Sequence, residues 1–556
     1  MRKTSLRTAR MAAGLCAVAM SCCVASAQMG EMDGMHHHDA PAAGEKLGSV
    51  SFPVSCEASS KVPMERGIAL LHSFGYEEAE EQFTALTKSD PKCAMAYWGV
   101  AMSVFHQLWS DKAAMDKGWA EMQQAQKPNA KTDRERMYIA ALSSYYDPAK
   151  PNHQARVDAY TAGMLALHKA YPADVEASAF YALSLLADVA PGDTSLVKER
   201  AALAILVPLF EQHPDHPGLA HYIIHTCDTP ALAQQGLAAA QKYAQIASSS
   251  PHALHMPGHI FARLGMWQED IDSNLASVAA SKKAEAAGVP GAHHQLHADE
   301  FLLYAYLQTG QDATAKQMVD GINQLADRLD AMQGMDDMKA KTGLVRNEFP
   351  AIYYLEMRDW AGASAVKVYP ATPSVFTVDA IWARGIANGR LRHAKDAAAD
   401  LAQFDGVLDA YKKTRPGVPT PGLDIYRNEI LAWQQYAEGN DAAAVATMRK
   451  AAEEQDKLGQ AEVDLPAREM LGDMLMDLKR PKEALVEYKV ALTLSPNRLN
   501  GLYGAGRAAE ALGMKKEAGE YYAVILKNTD DGAHSSRPSL AHAKAFVAGS
   551  MVAAGH

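Results

Sequence analysis

Six side chains of metal-ligating type fall in three helix-spaced pairs: His221 with His225, His255 with His259, and His297 with Glu300. Residues three or four apart share one face of a helix, so each pair presents both side chains to the same side. Paired imidazoles suit a borderline ion, and a carboxylate can complete its shell. Zn, Fe, Mn and Cu all fit such a donor set. If a coordination position stays open, the ion could activate water for hydrolysis or handle oxygen chemistry. Asp228, Glu269 or Glu300 could then serve as base. A lone histidine on a helix is more often a hydrogen-bonded structural residue. The recurrence of the spacing between residues 221 and 300 is what points to a metal.

Pro257 stands between His255 and His259 and predicts a kink there, because it removes one backbone donor. A second group, MGEMDGMHHHD over residues 29–39, combines Met29, Met32 and Met35 with His36, His37 and His38. Thioether and imidazole groups of this kind hold copper or nickel loosely, while the composition equally fits a segment without order. The sequence has no phosphate-cradling glycine loop and no GxSxG or HExxH.

The elements that must position these side chains are helices in a repeat. Gly472, Ala484 and Tyr488 recur as Gly506, Ala518 and Tyr522, a shift of 34 residues that is the tetratricopeptide period. Gly67, Tyr76, Ala79, Phe83 and Pro91 show the same frame near the N-terminus. Each unit reads as two antiparallel helices that bury apolar faces against their neighbours, giving an all-α, right-handed superhelical solenoid, irregular in the middle.

In such repeats, positions 2, 5, 9 and 12 of the first helix line the concave groove. Counting back from the turn glycine Gly265 puts His252, His255 and His259 at positions 2, 5 and 9; counting back from Gly310 puts His297 and Glu300 at 2 and 5. Trp98, Met102 and Phe105, followed by His106, take groove positions near the N-terminus. Glu469, Asp473, Tyr503 and Arg507 do so near the C-terminus. A wall of this kind also suits an extended protein or peptide partner.

Arg2, Lys3, Arg7 and Arg10 precede a short apolar run and Ala25-Ser26-Ala27, the pattern of a cleaved signal peptide with its site after Ala27. That address predicts a periplasmic or secreted protein; a lipoprotein attached through Cys22 or Cys23 is the weaker alternative, since the branched residue usual three positions earlier is missing. No later stretch is long and apolar enough to span a bilayer. Removing residues 1–27 takes four of 54 basic and none of 65 acidic residues, leaving a net charge of −15. Such an acidic surface argues against nucleic acid. Of the remaining cysteines, Cys56 and Cys93 could bridge in an oxidising compartment, leaving Cys227 as a small buried apolar residue.

The expected organisation is a signal peptide at 1–27, a flexible Met/His-containing segment at 28–60 and a repeat array with a His-rich groove at 61–325. Middle helical repeats at 326–415, a C-terminal array at 423–530 and a disordered tail at 531–556 follow. The Pro416–Gly422 run predicts a break between two halves.

LLHSFGYEEAEEQF, CAMAYWGVAMSVFHQLW, HPGLAHYIIHTCD, HALHMPGHIFARLGMW, LLYAYLQTGQ, PAREMLGDML and SPNRLNGLYGAGRAAE together resemble an uncharacterised family of exported bacterial tetratricopeptide-repeat proteins. The resemblance spans nearly the whole chain after the signal peptide. It implies a solenoid, export, and the histidines His216, His221, His225, His252, His255, His259 and His297 with Glu300. Phe301 stands where that family usually has tryptophan, and Gln107 where it has proline. The resemblance implies no particular reaction. Two functions are therefore expected: a transition-metal site in the groove, which extends to catalysis, or a non-enzymatic scaffold whose histidines form a pH-sensitive recognition wall.

Overall fold

The 34-residue period rests on glycines that let an aromatic ring approach a helix backbone. A Cβ on Gly472 would lie 2.7 Å from the Tyr488 ring, and one on Gly506 would lie 2.4 Å from the Tyr522 ring. Phe83 sits in the same way between Gly67 and Gly99, where added carbons would meet it at 2.4 and 2.3 Å. The computed structural model describes residues 45–106, 113–127, 130–190, 193–287, 294–331, 336–459, 461 and 463–554. Among these residues the regular structure is helical throughout.

Consecutive helices pack as antiparallel pairs, and first helices of successive pairs also touch, as Val175–Ala187 does on Pro217–Cys227. This is the tetratricopeptide-type solenoid expected from the period. Its helix starts are set by local caps: Thr132 and Glu135 form a capping box, Asp174 accepts from Glu176 and Ala177, and Ser250 accepts from Ala253. Gly265 and Gly310 both hold left-handed turns, at φ +64° and +70°, where a side chain would be strained.

Buried apolar side chains form two cores, one spanning residues 47–261 and the other 262–543. They meet at Phe261 and Ala262, inside helix Pro257–Leu264. The Pro416–Gly422 run covers the loop after helix Ala394–Thr414 and the first two residues of helix Pro421–Ala437, and both helices feed the second core. The boundary between the two cores thus lies at the histidines. Solenoid winding explains the rest: helix Lys61–His72 reaches Pro217–Cys227, and Trp267, Tyr304 and Gln308 bond Asn497, Asp464 and Leu499.

Both ends are packed onto the repeats where residues are described. Residues 45–56 have no regular structure but are held along the first repeats. Ser49 donates to the Asp215 carbonyl, Phe52 stacks on Trp98 at 5.5 Å, and Ser55 bonds Glu135. Cys56 is bridged to Cys93. Aromatic burial and backbone pairing hold a stretch whose composition alone carries no periodicity. At the other end, helix Pro538–Ala554 docks through buried Leu540 and Ala543, and Arg537 pairs with Asp312 at 2.7 Å. Residues 1–44, with the leader and the MGEMDGMHHHD group, lie outside the described residues.

Candidate metal centre

The histidines occupy four helices around the seam between the cores. Pro217–Cys227 carries His221 and His225; it starts at Pro217, with the His216 ring accepting from the Leu219 amide as cap. The next strip is split as Pro257 requires, into Pro251–His255 and Pro257–Leu264. His297 and Glu300 lie on His294–Gln308. The kink does not part the rings of the middle strip: His255 Nε2 and His259 Nε2 stand 2.9 Å apart.

The six expected residues do not form one ligand set. They separate into His255, His259 and His297 on one side and His221, His225 with His252 on the other, and in each triad ligand nitrogens lie within 4.8 Å of one another. Glu300 is not a seventh converging donor. Its Oε2 accepts from His297 Nδ1 at 2.7 Å and so orients that ring. The three-residue helical spacing makes this bond the nearest one available to Glu300.

Proton assignment in the first triad follows from its outer partners. Asn274 Nδ2 donates to the Asp270 carbonyl and carboxylate at 2.9 and 2.7 Å, which fixes Asn274 Oδ1 as an acceptor. His255 Nδ1, 2.6 Å from that oxygen, must therefore carry the proton. His259 Nδ1 donates to Asp228 Oδ2 at 2.9 Å, and Arg263 Nε holds the other oxygen at 3.0 Å. His297 Nδ1 donates to Glu300. In the neutral rings every Nε2 is then a lone pair, and those of His255 and His259 face each other at hydrogen-bond distance. Burial keeps His255 and His297 well below the usual imidazole range, with neighbouring histidines adding to the effect. Phe301 lies under all three rings, with centroids 4.9, 4.8 and 5.2 Å from His255, His259 and His297.

A third cluster was not legible from spacing, because its members lie far apart in sequence. His72 Nε2 donates to Glu176 Oε2 at 2.6 Å and His216 Nε2 to Glu176 Oε1 at 3.0 Å. Tyr222 donates to His72 Nδ1 at 2.9 Å. Burial alone would raise the Glu176 carboxyl, but the two imidazoles outweigh it and hold it far below the usual carboxylate range. Every donor here has an acceptor, so the cluster is complete without an ion.

Other candidate residues are accounted for structurally. Glu469 pairs with buried Arg498, which also bonds Glu356 at 2.7 Å. Asp473 binds Arg358, Arg390 and the Tyr488 hydroxyl. Tyr503 packs on His542 of the last helix, and Arg507 stacks over Tyr503. Trp98, Met102 and Phe105 are buried, with Phe52 covering Trp98. The His106 ring packs edge-on against Tyr76. Burial pushes the Cys227 thiol up to about 12, which makes it unreactive.

No family model matches the chain, and no curated protein does. Among solved structures it is similar to the TPR domain of P58(IPK), at 15% identity over 68% of this chain and 99% of that one, with a TM-score of 0.20. It is also similar to human IFIT1, solved as a dimer with m7Gppp-AAAA, at 13% identity over 78% of this chain and 90% of that one, with a TM-score of 0.35.

Proposed function

We propose that this chain is an exported helical-repeat protein that holds a transition-metal ion between His255, His259 and His297. One observation carries the reading: three buried imidazoles whose Nδ1 protons are committed outward turn their remaining lone pairs on one another. Lone pairs turned on one another in this way suit a metal ion. Tetrahedral ligands at roughly 2.1 Å stand about 3.4 Å apart, and the ligand nitrogens of the triad all lie within 4.8 Å of one another. Asn274, Asp228 and Glu300 are the outer partners that fix ring tautomer and orientation, as metal-bound imidazoles usually require.

Three protein ligands leave a position for water or substrate, the arrangement of catalytic zinc sites. An ion there would supply Lewis acidity or an activated water. Asp228 and Glu300 are committed to the rings, and Glu269 lines a separate surface cleft with Asp312 and Lys316, so none of the three is placed as a base by this geometry. Export is favoured by the leader pattern of residues 1–27 and by the Cys56–Cys93 bridge, which belongs to an oxidising compartment. Among the described residues no helix is long and apolar enough to cross a membrane.

The test is elemental analysis of untagged protein in which His36, His37 and His38 are alanine, supplied in turn with Zn, Fe, Mn and Cu. At least one ion per chain is expected, and it should disappear in His255→Ala/His297→Ala. Absence of any stoichiometric ion ends the proposal. Binding should also raise stability, by about 4 kcal/mol at a thousandfold excess over Kd.

A scaffold role has one supporting observation. The face around Trp98 already holds an extended chain, residues 46–55, through Phe52 and the Pro53 carbonyl, to which Arg134 donates. A partner peptide there must displace that segment. Partner capture lost in Trp98→Ala and indifferent to chelator would support it.

A further inference from the structure

The second triad shares the design of the first. His221 Nδ1 donates to the His72 carbonyl at 2.6 Å, so its Nε2 carries the lone pair. That nitrogen lies 3.1 Å from His252 Nε2. His225 joins from one turn along the same helix, its ring centroid 4.6 Å from that of His221. As Phe301 underlies the first triad, Phe74 underlies this one, 4.4, 5.3 and 5.5 Å from His221, His225 and His252. Phe74 is held at φ +54°, a conformation costly for a bulky residue and tolerated where the surroundings over-determine it.

The two triads adjoin. Ring centroids of His225 and His259 are 6.5 Å apart, and those of His252 and His255 are 6.4 Å apart. Each triad is an i, i+4 pair plus one histidine from beyond the following helix, Ala233–Ile246 in one case and Trp267–Ala287 in the other. We propose that His221, His225 and His252 bind a second ion, which with the first makes a dinuclear centre of six imidazoles. This rests on the reading of the first triad as a metal site.

Six neutral nitrogens with no carboxylate among the ligands select the imidazole-preferring ions, copper and zinc, over manganese or magnesium. Two divalent ions bring four positive charges; Asp228 and Glu300 in the outer partners offset two, and Arg263 beside Asp228 restores one. The remaining charge, buried, calls for a small anion such as hydroxide or an oxyanion between the ions. The centre therefore takes small anionic ligands.

Metal titration and electron paramagnetic resonance test this on untagged full-length chain with His36, His37 and His38 replaced by alanine. Two zinc or two copper equivalents per chain are expected. Copper-loaded protein should integrate to well under two spins, because the pair is magnetically coupled. His221→Gln/His225→Gln should retain one equivalent that integrates to one full spin, the retained ion showing that the fold survives. One equivalent in both proteins, or two equivalents with two isolated spins, overturns the dinuclear centre while leaving the first site intact. No bound ion in the parent protein overturns the first site as well. Azide added to the copper-loaded parent should shift the visible spectrum, and no shift at saturating azide rejects the anionic ligand.

Discussion

Glu176 and His255 stand at the centres of two histidine clusters on neighbouring parts of the same solenoid, and proton count separates them. Around Glu176, the donors His72 Nε2, His216 Nε2, Tyr222 and the Leu219 amide meet two carboxylate oxygens and two ring nitrogens. Around His255, three acceptors draw all three Nδ1 protons outward and leave Nε2 lone pairs converging. Both clusters are buried and both are rich in imidazole, so composition alone would rank them equal. Hydrogen-bond accounting does not. A carboxylate at the centre makes a structural knot, whereas carboxylates at the periphery make a ligand set.

The largest effect should come from removing the central charge. Glu176→Gln puts an amide N–H against an imidazole N–H in a dry site, and breaking a buried charged network costs about 3–5 kcal/mol. Urea denaturation should show that loss equally with chelator and with metal. A loss below about 1 kcal/mol, or one that metal restores, would mean the two clusters are not different in kind.

A smaller effect is expected from an outer partner of the open triad. Asn274→Ala removes the oxygen that fixes the His255 proton, and loss of such partners costs roughly tenfold to a hundredfold in metal affinity. Competition with a chromophoric chelator would measure it. Unchanged affinity would mean that the His255 tautomer is set some other way and would remove the argument from proton count.

What the sequence disclosed follows the same divide. The open triads were visible because each pair lies four residues apart along one helical strip, where spacing translates directly into a shared face even across the Pro257 kink. The register from Gly265 and Gly310 then brought His252 and His297 to the groove. Spacing placed Glu300 beside His297, where it meets Nδ1, because spacing gives proximity and not role. Nothing local marks Glu176, which meets His72 across 104 residues and His216 across 40. Those meetings are made by superhelical winding. The same is true of the packed 45–56 segment, whose partners at Trp98, Glu135 and Asp215 lie in several separate repeats.

The gentlest handle on the comparison is pH, applied to metal-free protein. Burial lowers the folded-state pKa of His255 and His297 below the ordinary 6.5. An imidazole lowered in the folded state leaves the unfolded chain binding more protons below pH 6.5, so stability falls as pH drops from there toward the folded value. Each such histidine contributes a slope of up to about 1.4 kcal/mol per pH unit. Glu176 behaves oppositely in timing: held low in the fold, its contribution is complete above about 4.5 and is lost only as pH falls through its folded value. Between pH 6.5 and about 5 the acid loss therefore belongs to the buried imidazoles, His72 of the Glu176 knot included, and not to the Glu176 carboxyl. Buried acids such as Asp464, pushed up to about 7, tilt the total the other way, because their folded forms keep protons that the unfolded chain releases. Subtraction removes them. The stability of the parent minus that of His297→Gln should itself fall with acid across this window, and a difference that is flat with pH would show that His297 is not held neutral by burial.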